Sequence, residues 1–211
     1  MPDDDAHLIE TCLSGQDLVR SDFLTLRRDT VCLPSGGQAS REYLIHPGAA
    51  AVVPVMELQG GALQLVLERQ YRYPVGRTII EFPAGKLAPG ERAFDCARRE
   101  LREETGYTAG QWARAGQLHP TVAYSTEVID IWFARDLTQG ARQLDPGEHL
   151  DVFTATPAQL LAWCRDGTVT DAKTLAAALW LQQWMMGHWT LDWRTDEYWA
   201  AAGEQRQEST P

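Results

Sequence analysis

Residues 85–107 read Gly-Lys-Leu-Ala-Pro-Gly-Glu-Arg-Ala-Phe-Asp-Cys-Ala-Arg-Arg-Glu-Leu-Arg-Glu-Glu-Thr-Gly-Tyr. Pro89-Gly90 makes a turn, Glu91 stands near a helix start, and Gly106 is a natural helix stop, so the stretch predicts a loop, a helix and a second loop. Phe94, Ala97 and Leu101, with Ala93, form its apolar stripe. Another side carries Glu100, Glu103 and Glu104, and positions i, i+3 and i+4 of a helix share one face. Three like charges there repel one another, and acids near a helix C-terminus oppose the helix dipole. A solvated face served by Arg98, Arg99 and Arg102 is the plainer account of such a charge run. The distant Glu91 and the preceding Phe82-Pro83-Ala84-Gly85 weigh against it, and a hard divalent cation with oxygen ligands answers the excess charge.

Outward from this stretch, the chain reads as strands before it and a mixture after it. Phe23–Leu26, Thr30–Leu33 and Glu42–Ile45 are short strands separated by turns such as Pro34-Ser35-Gly36-Gly37. A strongly apolar run, 49–58, turns at Gly60-Gly61 into the alternating segment 63–68, and 78–82 leads into the quoted stretch. Downstream, 117–118, 128–134 and 151–155 read as strands. Pro157 opens one helix and 171–184 forms another. Strands with one central and two later helices predict an α+β fold with helices packed on a mixed sheet. A seam near His46-Pro47 divides an N-terminal sheet region, 1–46, from a main domain, 47–200. A polar tail, 201–211, follows and is expected to be flexible.

The chain has 211 residues and a net charge of −10. That charge leaves no basic stripe to replace the counterions of a nucleic acid, so no nucleic-acid partner is expected. No stretch approaches about 20 apolar residues, so no membrane partner is expected. Cys12, Cys32, Cys96 and Cys164 lack paired spacing, which suits a reducing compartment. The acidic start, Met-Pro-Asp-Asp-Asp, lacks the apolar run of a secretory leader. The expected address is cytoplasmic.

The quoted stretch resembles the signature of the Nudix hydrolases, G-x5-E-x7-R-E-U-x-E-E-x-G-U with U bulky and apolar. Gly85, Glu91, Arg99, Glu100, Leu101, Glu103, Glu104 and Gly106 match every fixed position, and Tyr107 takes the last apolar one. So many identities at fixed spacing are far more specific than a lone glycine motif. The resemblance implies a Nudix fold, an α/β/α sandwich around a mixed sheet, with an N-terminal antiparallel sheet attached. It also implies magnesium, or manganese, as two or three ions, and a substrate in which a nucleoside diphosphate is linked to another group. By resemblance Glu100 and Glu104 ligate metal, with Glu103 and the Ala84 carbonyl contributing, while Arg99 and Glu91 orient the glutamates. Bare glutamates would repel a diphosphate; divalent ions reverse that sign and help ionise the attacking water.

Other stretches look like the ADP-ribose pyrophosphatase branch: 68–77 leading to 80–86, Ser125-Thr126-Glu127, 145–148 and 167–174. The resemblance then implies that Arg72 contacts the diphosphate, that Glu148 or Glu127 positions or activates the water and Glu148 joins the metal set, and that Glu81 lies on the substrate side. Arg41, Glu42 and His46 match positions that approach the adenosine end. The branch usually carries a proline-glycine pair before Ser-x-Glu; this chain has His119-Pro120-Thr121-Val122-Ala123-Tyr124 instead. GDP-mannose or another nucleotide sugar is therefore the rival substrate, and a nucleotide-sensing module without catalysis is the rival outside the enzymes. Relatives of this branch are commonly homodimers that exchange the N-terminal sheet, and the resemblance implies the same here. Five of the eight tryptophans lie from Trp180 onward; Trp180 and Trp184, at i, i+4, are expected to pack on the core.

Overall fold

A computed structural model describes residues 5–201. The chain forms two compact units. The first comprises the residues up to Gly48 together with His119–Glu127, and the second comprises Ala49–Leu118 and the residues from Val128 onward.

The first unit is a three-stranded antiparallel sheet in the order β1 (Thr11–Arg20), β2 (Thr25–Cys32), β3 (Gln38–Ile45). The separate pieces expected at 23–26 and 30–33 are replaced by the single strand β2, in unbroken register with β3 from Thr25 to Cys32. β1 has no counterpart in the sequence reading. Its pairing with β2 shifts between Cys12 and Ser14 and again between Asp17 and Val19, and such bulges erase the period of two that marks a strand. The segment 119–127 joins this unit through Leu44, whose amide donates to the Tyr124 carbonyl and whose carbonyl accepts from the Thr126 amide.

The second unit is built on an eight-stranded mixed sheet. Its strands are β4 (Ala49–Glu57), β5 (Leu63–Arg72), β6 (Arg77–Glu81), β7 (Ala84–Lys86), β8 (Tyr107–Leu118), β9 (Ile129–Gln139), β10 (Leu150–Ala155) and β11 (Arg194–Thr195). The order is β10-β5-β4-β9-β8-β11, with β6 on β5 and β7 on β4, and only β4 and β9 run parallel. β4 is apolar throughout because both its faces are covered. Ala51, Val53 and Val55 face one cluster with Leu65, Leu67, Ile131, Phe133, Leu160 and Leu181. Ala50 and Val52 face the other with Phe94, Ala97, Leu101, Trp112 and Trp132. Helices α2 (Pro157–Asp166) and α3 (Ala172–Met185) cover the first face, and α1 (Ala93–Glu100) covers the second. The fold class is α+β with a mixed sheet and a small antiparallel sheet, as the sequence predicts.

Local chemistry explains the helix ends. α2 starts with a reciprocal capping box between Thr156 and Gln159 with Pro157 in the first turn, and Asp171 caps α3 by accepting from the Thr174 amide at 2.9 Å. α1 departs from expectation: its last turn, Leu101–Thr105, widens into a π-helical turn before Gly106. Gly106 closes it in the left-handed region at φ 79°, where a side chain would be strained. The late tryptophans mostly build core. Trp184 meets Phe133 and Trp193 edge-on or tilted. Trp199, on α4 (Asp196–Ala201), lies 5.0 Å from Trp132 and donates to the Trp112 carbonyl. Of the expected flexible tail, Ala201 ends α4 and 202–211 lie outside the described residues.

Candidate active site

Three of the signature glutamates, Glu91, Glu100 and Glu103, are drawn together by one guanidinium. Arg99 donates from Nε and Nη2 to the two oxygens of Glu91 at 2.8 and 2.9 Å, and from Nη1 to Glu100 at 2.6 Å and Glu103 at 3.1 Å. Nη2 also reaches the Lys86 carbonyl at 3.0 Å. Arg99 thus fastens α1 to the loop before it, and Glu91 also accepts from the Ala88 amide, closing that loop. The bonds to Arg99 hold the Glu91 carboxyl below its ordinary range.

Ala84 is set by β7, which pairs with the start of β4, and its amide donates to Glu104 at 2.9 Å. Next to it, Gly85 has no room for a side chain: a Cβ there would stand 1.7 Å from Glu100 Oε1. The glycine is required because a buried carboxylate passes over its Cα. The loop carrying Glu148 is tied to the π-helical turn by the Gln143 amide donating to the Glu103 carbonyl and the Gly140 amide to the Gly106 carbonyl. Glu148 itself is half-buried and accepts weakly from the Asp145 amide at 3.3 Å.

Burial pushes the Glu100 carboxyl up to about 7, against the pull of Arg99 and with the charges of Glu103 and Glu148 adding to the rise. Glu104 is raised as well, first by burial and then by the charges of Glu68, Glu100 and Glu148, opposed by the bond from Ala84. These acids carry more negative charge than their neighbours neutralise. All the donors are oxygens, and Gly85 keeps the approach to Glu100 open, so the set suits a hard divalent ion. Among the described residues no three such side chains already stand close enough to hold one; Glu100 and Glu103 are turned toward Arg99, and Glu104 toward Ala84.

Arg72 lies at the end of β5. Its Nε and Nη2 donate to the two oxygens of Glu81 at 2.7 and 2.9 Å, a fork that fixes the guanidinium plane and leaves Nη1 outside the pair. Glu81 is almost wholly buried. Burial alone would raise its carboxyl, but the bonds from Arg72 and the charge of Lys173 outweigh burial and lower it. Lys173 Nζ bonds Glu81 from the other side and lies 3.1 Å from Asp171. Lys173 and Glu68 had no role in the sequence reading, although Lys173 carries a signal. Lys173 stands in the first turn of α3, where the dipole disfavours a cation unless an acid holds it. Glu68 is an acid continuing the buried run Leu65-Val66-Leu67.

The remaining expected residues lie in the first unit. Arg41 pairs with Glu10, Glu42 with Arg28 at 2.6 Å, and His46 Nε2 lies 3.8 Å from Glu127. The His46 amide also donates to Thr126 Oγ1 at 3.0 Å.

The NUDIX domain family matches residues 46–178. An ADP-ribose pyrophosphatase of Bacillus subtilis (strain 168) is 34% identical over 177 residues, covering 83% of this chain and 94% of its own. A methanol dehydrogenase activator of Bacillus methanolicus is 32% identical over 175 residues, covering 82% and 92%. A crystal structure of an ADP compounds hydrolase has the same fold, with a TM-score of 0.73 at 24% identity over 85% of this chain and 96% of that one. The family match takes in the Arg99-centred glutamates, the Gly85 passage and the Arg72–Glu81 fork, and the chain belongs to the Nudix hydrolase family.

Proposed function

We propose that the chain hydrolyses the diphosphate of a nucleoside diphosphate-linked sugar, converting ADP-ribose and water to AMP and ribose 5-phosphate with magnesium or manganese. The observation that carries this reading is the meeting, in one unit, of a fixed arginine fork at Arg72 with an under-neutralised carboxylate set at Glu100, Glu103, Glu104 and Glu148. The likeness to the Bacillus subtilis ADP-ribose pyrophosphatase along 94% of that enzyme supports ADP-ribose in particular.

Nudix hydrolases generally use divalent metals. Glu100, Glu103, Glu104 and Glu148, with the Ala84 carbonyl, would hold the ions here. Bound there, the ions would supply positive charge to the diphosphate and ease ionisation of the attacking water. Arg72 donates from its free edge to a diphosphate oxygen, and Glu81 with Lys173 keeps that edge in place. Glu148 takes the proton as water attacks one phosphorus in line with the leaving phosphate oxygen. Arg99 and Glu91 hold the helix and its preceding loop together.

GDP-mannose or another nucleotide sugar is the rival substrate, since the stretch His119–Tyr124 departs from the proline-glycine pattern of the branch. The reading includes a cytoplasmic homodimer built on the three-stranded sheet, supported by the exposed Leu13 and Val19 of β1; sedimentation giving only a monomer would remove that part. Among the described residues no helix is long and apolar enough to cross a membrane. The test of the activity is a panel of ADP-ribose, GDP-mannose, ADP-glucose and NADH with magnesium, read by product chromatography. AMP and ribose 5-phosphate from ADP-ribose are expected. Tight binding without turnover of any member would overturn the reading in favour of a sensor.

A further inference from the structure

Glu68 lies in β5 with its side chain wholly buried, and neither carboxylate oxygen has a hydrogen-bond partner. The only other buried side-chain polar atom in that condition among the described residues is the Trp132 indole nitrogen. The two are not equivalent, because burying an unpaired carboxylate costs far more than burying one indole N–H. A valine or leucine at position 68 would extend the run Leu65-Val66-Leu67 without that cost. The acid therefore requires a counterpart that is not a side chain of this unit.

Its direction is fixed by the sheet. Glu68 stands opposite Glu81 in the β5–β6 ladder, so the two side chains share a face. Glu81 is answered there by Arg72 and Lys173; Glu68 feels both cations but bonds neither. The acids whose charges it shares are Glu81 from β6, Glu148 from the loop before β10, and Glu104 from the π-helical turn, on which its charge is the largest like-charge influence. Three elements thus bring carboxylate charge near Glu68, and it is the member with both oxygens unengaged.

We propose that Glu68 is a further carboxylate ligand of the cation site, its two oxygens approaching a divalent ion from the β5 side while Glu104 approaches from the helical side. The inference rests on the metal-dependent reading above. Glu68, Glu104 and Glu148 offer hard carboxylate oxygens, a donor set for Mg2+ or Mn2+. Arg72 and Lys173, both engaged with Glu81, hold that acid away from the ion and leave Glu68 to it.

The experiment uses the full chain, stripped with chelator and titrated with Mn2+ alone, with free Mn2+ followed by electron paramagnetic resonance. Wild type, Glu68→Gln and Glu68→Val are compared, with near-ultraviolet circular dichroism reporting the fold. Glu68→Gln has the shape of the neutral acid and preserves packing if Glu68→Val does not. The expected result is that Glu68→Gln loses one bound ion or weakens the tightest by about tenfold or more. The rise in melting temperature produced by Mn2+ should shrink with it. Wild-type ion number and affinity in Glu68→Gln would overturn the assignment while leaving the proposed hydrolase intact. A wild-type protein that binds no Mn2+ would overturn both, and the substrate panel separates the two cases.

Discussion

Asp29 and Glu68 are both buried carboxylates in the interior of strands, one in the three-stranded sheet and one in the eight-stranded sheet. Asp29 accepts from the Tyr43 hydroxyl at 2.7 Å and from Arg27 Nε at 2.8 Å. The other acids of that sheet are answered in the same way, Asp17 by Arg27 and Glu42 by Arg28, as is Glu10 just before β1 by Arg41. Glu68 has no such partner, Glu104 has one backbone amide, and Glu100 shares a single arginine with Glu91 and Glu103. The bonds from Tyr43 and Arg27 lower the Asp29 carboxyl, whereas burial among like charges raises those of Glu68, Glu100 and Glu104. Acids that serve folding are matched to cations within the chain. Glu68, Glu100 and Glu104 are left short of positive charge, and strongly shifted acids in a cluster mark a candidate functional site.

The strongest way to break that contrast is Glu104→Gln. If Glu104 serves chemistry, the variant should keep its fold, melt no lower than wild type in chelator, and lose about a thousandfold in kcat. Steady-state kinetics with circular dichroism would check it; near-wild-type turnover would refute the metal-ligand role. A smaller effect separates the two units directly. Glu148→Gln should lower kcat by about a hundredfold while leaving KM near wild type. Glu127→Gln, whose carboxylate already faces His46 in the first unit, should act mainly on KM. The reverse pattern would move the base to Glu127.

How far the sequence discloses this arrangement depends on how locally each feature is encoded. The spacing from Gly85 to Gly106 is local, so the loop, the helix and its acids are legible, and the apolar run 49–58 is legible because a doubly covered strand needs no alternation. β1 and most of β8 are not. Gly15 and the bulges obscure the first, and Gly110, Gly116 and the register shift between Arg114 and Gly116 obscure the second. The π-helical turn leaves no periodic trace because it alters only one turn. At the site, the signature residues can be read from spacing alone. The fork between Arg72 and Glu81 and its brace from Lys173 depend on residues far apart in sequence, whose pairing appears only once β5, β6 and α3 are together. Glu68 is hidden in a different way, since at the end of an apolar segment an acid reads as the point where a strand meets solvent.

The smallest expected effect, and the most direct test of the contrast, is the pH dependence of stability without metal. Unfolded glutamate ionises above about 4.5, but folded Glu100 keeps its proton until about 7, so between those values the unfolded state binds fewer protons. Stability must then fall as pH rises through that window, by about 1.4 kcal/mol per pH unit for each such group, and Glu68 and Glu104 act in the same direction. Asp29 has the opposite sign. Its folded carboxyl lies below the ordinary 3.8, so its contribution is present above that value and is lost as pH falls through the folded one. In chelator, the second unit should lose hydrogen-exchange protection from pH 5 to pH 8, once intrinsic rates are corrected, while β2 and β3 keep theirs. Below pH 4, β2 and β3 should weaken through Asp29 in wild type but not further in Asp29→Asn. Mn2+ at pH 8 should restore the second unit selectively, because the ion supplies the charge its acids lack. Protection in the second unit that stays level or rises toward pH 8 in chelator would mean that its acids are already balanced, and the contrast between the two sheets would collapse.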